Sequence, residues 1–185
     1  MAVGAFLFAA LAVTAVPARA DDNSEFDFHM GDAFLTRLGA PPTDVARAAA
    51  NGDTITVVGT GQFDIEEREA SGQGTFEHRT ADGTLFAFGT WKAKMLVSFD
   101  NFGAETGGRP DFIGGHAVIA IRVTAHPASD PTVTLKFDAI LVVDCEIGNN
   151  FLGVTEGITI DAGFINFNEK VSPSITLFVT EDAQD

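Results

Sequence analysis

An all-β fold is what this 185-residue chain predicts: a single antiparallel barrel or barrel-like sandwich of seven to eight strands, with one short N-terminal helix. Three observations carry that expectation. Apolar and polar residues alternate along seven stretches, so each would present one dry and one wet face. Turn formers separate the stretches, and Ala81-Asp82-Gly83 is the strongest hairpin signal among them. Most joints are too short for crossover helices, which favours antiparallel neighbours, closed as a barrel or stacked as a sandwich.

The elements follow in chain order. Residues 1–20 read as a signal peptide. Ala2 to Val16 is small and apolar, short for a bilayer span, and Ala18-Arg19-Ala20 supplies a small-x-small cleavage pattern. The segment departs from the usual leader in having no Lys or Arg ahead of its apolar run. Residues 21–53 form an N-terminal arm. Within it Phe26, Phe28, Phe34, Leu35 and Leu38 suit a first strand or a packed arm, and Pro41-Pro42 breaks whatever precedes it. Thr43 to Asn51 reads as the short helix, with Thr43 as its cap and Ala46, Ala48, Ala49 and Ala50 as helix formers; Asn51-Gly52-Asp53 ends it.

The β domain covers residues 54–180. Strand one, Thr54 to Ile65, turns Ile55, Val57, Gly59, Gly61, Phe63 and Ile65 to one side. Strand two, Ala70 to Arg79, turns Gly72, Gly74, Phe76 and His78 inward. Strand three, Leu85 to Phe99, places Leu85, Ala87, Gly89, Trp91, Ala93, Met95, Val97 and Phe99 on its inner face. Asp100 to Gly115 reads as a long glycine-bearing loop of the kind that often carries function. Strand four (His116 to Ala125), strand five (Thr132 to Cys145), strand six (Glu156 to Phe167) and strand seven (Val171 to Val179) complete the set; Pro173 pushes the last toward an edge or bulge. Residues 181–185 are an acidic tail.

Composition narrows the function classes. The net charge is −15, and loss of the leader would remove Arg19 and no acid, making it −16. Such a chain is repelled by nucleic acid phosphates and by anionic lipid, so no nucleic acid partner is expected. No later segment is apolar for long enough to be a membrane-spanning helix. Cys145 is the only cysteine, so there is no internal disulfide; it falls on the apolar face of strand five, where burial competes with an exposed, reactive role. Seventeen Phe, one Trp and no Tyr supply burial with little of the polar aromatic surface that recognises sugars.

One internal repeat stands out. G-x-G-x-F occurs at Gly59-Thr60-Gly61-Gln62-Phe63 and again at Gly72-Gln73-Gly74-Thr75-Phe76. Glycine inside a strand marks close approach or bending. Four bare positions on adjacent strands would leave a trough on the inner face, with Trp91 on the next strand facing it. Two readings follow. Trp91 fills the trough, or Gly59, Gly61, Gly72, Gly74, Phe76 and Trp91 line a cavity for a small apolar ligand. A dinucleotide-binding reading fails, because these glycines lie within strands and not between a strand and a helix.

Ala70 to Phe99 contains A-S-G-x-G-T-F-x-H-R, A-D-G-T, G-T-W-x-A and L-V-S-F. This stretch resembles a family of small secreted β-rich microbial proteins of unassigned function, and the likeness extends to Gly114-Gly115 and Val143-Asp144-Cys145. The resemblance implies a secreted β fold and no particular catalytic residue. A separate, architectural likeness is to the allene oxide cyclase and dirigent barrels, and fold analogy alone carries no activity.

The chemistry-bearing residues spell out little. His29, His78, His116 and His126 form neither H-x-x-x-H nor H-x-H, so no metal site is expected, and no cofactor motif is present. His78 is the catalytic candidate because it shares the inner face with Phe76. Asp64, Glu77, Asp138 and Asp144 fall on outward faces, which suits a solvated surface. Calcium is a weaker option at Asp100, Glu105 and Asp111, or at Asp144, Glu146 and Asn149. Three functions stay open: a secreted non-catalytic domain that binds a small apolar ligand or a protein partner, a cyclase- or isomerase-type enzyme using His78 with Arg122 near the mouth, and a structural surface-associated protein.

Overall fold

The computed structural model describes residues 24–180, and the expected leader and acidic tail lie outside them. The fold is all-β and antiparallel throughout. Eleven strands run β1 (Glu25–Met30), β2 (Asp44–Arg47), β3 (Thr54–Asp64), β4 (Ala70–Arg79), β5 (Leu85–Ala104), β6 (Phe112–Pro127), β7 (Leu135–Cys145), β8 (Gly157–Asp161), β9 (Asn166–Phe167), β10 (Glu169–Val171) and β11 (Thr176–Thr180), with α1 at Ala33–Arg37.

Two long strands organise the sheet by forking. β3 pairs with β4 from Thr54 to Phe63 along one edge. Its other edge is shared: β2 takes Thr54–Val57 and β1 takes Gly59–Asp64. β6 pairs with β5 along one edge, while β7 takes Gly115–Ala125 and β11 takes Phe112 and Ile113 on the other. Because β1 also pairs with β11, the path β1–β3–β4–β5–β6–β11 returns to its start. The branches β2–β10 and β7–β8–β9 hang from it, and β8 packs against β2 and β10. The arrangement is therefore not a clean barrel, and eleven strands replace the expected seven to eight.

The extra strands come from segments whose local sequence is weak. The helix expected over 43–51 is replaced by β2, in which Asp44 and Ala46 point inward. Alanine favours helix only slightly, and pairing with β3 on one side and β10 on the other outweighs that preference. The one α-helix among the described residues is the five-residue α1, capped by the Asp32 carboxylate, which accepts the Leu35 N–H at 2.9 Å. Expected strand six divides into β8 and β9, and expected strand seven into β10 and β11. The expected loop from Asp100 to Gly115 is mostly strand, and only 105–111 lie between β5 and β6.

Strand β5 corrects the expected inner face. Leu96 is 1% exposed, whereas Met95 and Val97 are 49% and 40% exposed. Register shifts lie at Ala93/Met95, Leu96/Ser98 and Asn101/Gly103. A bulge inserts one residue and so exchanges the inner and outer sets; the next one exchanges them again, returning Phe99 to the core side.

The core has two chemically distinct ends. Under β1 and β11 it is a phenylalanine cluster: Phe99 lies 5.0 Å from Phe26, 4.9 Å from Phe63 and 5.0 Å from Phe178, ring centre to ring centre. Toward the β2 and β8 end, Ile55, Trp91, Ile121, Val123, Ile160 and Phe167 are buried around the cavity described next.

Candidate functional site

The glycine repeat pairs with itself across β3 and β4. Gly59 faces Gly74 and Gly61 faces Gly72. A Cβ on Gly59 or Gly74 would collide with the indole of Trp91, and one on Gly61 or Gly72 would meet the ring of Phe28. Phe28 and Trp91 are themselves stacked at 6.3 Å. Trp91 is held by its Nε1–H, which donates to the Val58 carbonyl at 3.3 Å. The four bare positions are thus the bed of two large rings, and none of these glycines lines the cavity beside Trp91.

A cavity lies on the far side of Trp91. Its volume is about 110 Å³, and its walls include Ile55, Phe76, Trp91, Ile121, Val123 and Phe167. Phe86, Leu135 and Phe164 line it as well, yet are 57%, 50% and 73% exposed, so they form a greasy mouth open to solvent. Of the expected ligand-binding residues, Phe76 and Trp91 therefore face the space, whereas Gly59, Gly61, Gly72 and Gly74 do not.

His78 is the one ionisable residue in a wall whose exposed surface is almost entirely apolar. It is 9% exposed, lies across from Ile55 in the β3–β4 ladder, and has its Nε2 2.9 Å from Asp53 Oδ2. Asp53 Oδ1 accepts the Ala81 N–H at 3.1 Å, so the carboxylate is fixed by the β4–β5 turn. The imidazole is wedged between Phe86, at 4.8 Å, and the edge-on ring of Phe167, at 5.1 Å. Sequence reasoning missed Asp53, taken as a helix stop. Phe86 offered the better clue, a large aromatic on the nominally wet face of its strand.

A second polar centre occupies the opposite face of the branch point. His116 Nδ1 lies 2.5 Å from Asp144 Oδ1, and the other Asp144 oxygen lies 2.5 Å from the Lys170 ammonium. Asp144 keeps the side its position in the alternation suggested but is buried and not solvated, because Lys170 of β10 lies over it. The Asp144 hydrogen bond holds the His116 pKa above the usual histidine value, against the effect of burial. Nearby, Glu156 accepts the N–H groups of Thr176 at 2.5 Å and Glu146 at 2.9 Å, and burial pushes its carboxyl above the usual range. The Thr176 hydroxyl is a donor shared between two acceptors, the Asp144 carbonyl at 2.6 Å and a Glu156 carboxyl oxygen at 2.7 Å. Asp44 is pushed up to about 6 by burial, despite its hydrogen bond from Ser174, and its Oδ2 is buried without a partner among the described residues. These groups tie β2, β7, β10 and β11 together at the seam, and the role they share is structural.

The remaining candidates fall away from the cavity. His29 pairs with Asp32 at 2.6 Å beside α1, and His126 Nδ1 contacts the Val133 carbonyl at 3.0 Å. Arg122 pairs with Asp138 at 2.9 Å on the exposed face. Cys145 is buried, and burial first, then Glu156, pushes its thiol up to about 12, which makes it an inert apolar filler at neutral pH. Among the described residues no cluster of three His, Cys, Asp or Glu could hold a metal ion, and no helix is long and apolar enough to cross a membrane. No family model matches this chain, and neither a curated protein nor a solved structure matches it.

Proposed function

We propose that the chain is a secreted, non-catalytic β domain that binds a small apolar ligand in the cavity between Trp91 and Phe164. The observation that carries this reading is the wall itself. An open, concave space bounded by aliphatic and aromatic side chains stays poorly hydrated and gains by taking up an apolar guest. The exposed ring of Phe164 at its mouth would be wasted on a purely structural surface. The leader-like residues 1–20 and the absence of any disulfide requirement support export of a domain stabilised by its core alone. A cyclase-type enzyme is the less favoured reading, because acid–base turnover needs polar groups at the reacting atoms and the wall exposes almost none.

The test is a titration with p-xylene. Trp91 is the only tryptophan and there is no tyrosine, so intrinsic emission reports the cavity wall directly. Saturable change in that emission is expected, and Ala162→Leu, which extends a wall residue into the space, should abolish it while leaving the thermal transition in place. Absence of a saturable signal in the wild-type protein would sink the proposal.

A further inference from the structure

Resting on the cavity reading above, we infer that the guest is one end of an amphiphile. Its ring-sized hydrocarbon group fills the cavity beside Trp91, and its uncharged, oxygen-rich head, a sugar or another polyol, lies on an adjoining groove across Phe164.

Three observations converge on that class. The first is what the cavity refuses. Its exposed wall is almost wholly apolar, the Trp91 Nε1–H is spent on the Val58 carbonyl, and His78 Nε2 is engaged by Asp53. A polar group carried inside would lose its water and find no partner, at a cost of about 1–3 kcal/mol, so the polar part of a ligand stays outside. At about 110 Å³ the space compares with the ~150 Å³ apolar cavity that takes up benzene, so the part inside is of single-ring size.

The second is the neighbouring groove. Phe164 and Ile165 line both spaces, so the groove begins where the cavity opens. Alternation along β9 sorts the side chains between them. Phe167 is buried in the cavity wall, while Asn166 and Asn168 on either side of it are exposed and line the groove together with Asn51. Phe164 stands at the boundary, 73% exposed, its ring packed edge-on against Phe137 at 5.1 Å. An open aromatic face flanked by amides suits a sugar, whose C–H face stacks on the ring while its hydroxyls are hydrogen-bonded. The third is the polarity of the groove. Its polar side chains are these three amides, and no charged residue lines it. The Asn168 side-chain oxygen accepts the Ala49 N–H and that of Asn51 accepts the Asp53 N–H, each at 3.1 Å. A backbone N–H can be taken only by the amide oxygen, so each NH₂ is left to donate. Fixed neutral donors suit hydroxyl and ether oxygens. An anionic head would find no countercharge there, in a chain of net charge −15, and a cationic head would find no carboxylate lining the groove.

The experiment uses the full chain, Trp91 emission, neutral buffer, and three probes that share one ring: p-xylene, p-tolyl β-D-glucopyranoside and p-tolyl phosphate. Ratios of affinities within one protein cancel changes in cavity shape. The wild-type protein should bind the glucoside about tenfold more tightly than the phosphate. In the double variant Asn51→Asp, Asn168→Asp each new carboxylate still accepts its backbone N–H, so the local structure is kept while the donors are lost. There the glucoside to p-xylene affinity ratio should fall about tenfold. An unmoved ratio overturns the groove assignment, while p-xylene binding in the same titration keeps the cavity reading intact. Should the double variant fail to fold, the exposed Asn166→Ala decides alone: a fall of about fivefold is expected, and no fall overturns the assignment. Phosphate binding as tight as that of the glucoside overturns the uncharged head. If p-xylene fails to bind the wild-type protein, the cavity reading itself has failed.

Discussion

Gly74 shows how one missing Cβ positions the site. Val58 O and the indole of Trp91 occupy the space a side chain would need, so the strand can approach its neighbours only while position 74 stays bare. Gly59 does the same from β3. Trp91 then serves two environments at once, with one side on the glycine bed and the other toward the cavity. Gly74→Ala is expected to destabilise by about 1–3 kcal/mol through overpacking, and to shift Trp91 emission before unfolding. Thermal melts followed by tryptophan fluorescence check both; an unshifted spectrum with unchanged melting would remove the close-packing account. Asp53 and His78 teach the complementary lesson. Neither residue is informative alone, and their partnership exists because the β3–β4 ladder brings Ile55 opposite His78, with Asp53 two residues upstream.

At the scale of the element, β5 is the exception that explains its neighbours. β4 reaches only as far as Lys92, and beyond it β5 continues to Ala104 with that edge free of β4. Three register shifts fall in this stretch. Bulges raise the local twist, and beyond β4 the Leu96 N–H is taken by the Arg68 carbonyl at 3.0 Å. The irregularity also sets which side chain is core. Leu96→Ala is expected to cost about 2–5 kcal/mol, whereas Met95→Ala should stay within about 0.5 kcal/mol. Chemical denaturation of the two variants distinguishes this register from strict alternation, under which the losses would be exchanged. β2 makes a related point: Ala46, and Ala48 just past its end, suit a helix, but both are buried and their small side chains let the segment lie close on the core.

For the whole molecule, the buried acids set a pH dependence that runs against habit. Burial raises Asp44 from 3.8 to about 6, so the folded chain holds a proton that the unfolded chain has released. Stability from this group therefore declines as pH climbs from about 4 through 6, by about 3 kcal/mol at most. Glu156 shifts the same way. His116, raised above 6.5, stabilises the fold below that value and loses the contribution as pH passes its folded pKa. The opposite group is Asp64, Asp82, Asp111 and Asp130. Hydrogen bonds from Glu67 N–H, Thr80, Arg109 and Thr132 lower their carboxyls, and their support is lost as pH falls below 3.8. Melting temperature should therefore peak in mildly acidic buffer. Asp44→Asn should flatten the decline toward alkaline pH, and added salt should raise the alkaline melting temperature by screening the net charge of −15. Calorimetry across pH tests all three, and a melting temperature rising steadily from pH 5 to pH 8 would contradict them.

The all-β class, the inward sets of β3 and β4, and the meeting of the glycine patch with Trp91 were legible in the chain itself. Side-chain direction alternates with a period of two whatever the partner strand, so a half-buried ribbon writes its own pattern. Four features were decided only by assembly: the strand identity of β2, the bulged register of β5, the burial of Asp144, and the Asp53–His78 pair beside an open cavity. Each depends on which strand lies alongside and at what offset, and residues distant along the chain carry no local mark of having become neighbours in space.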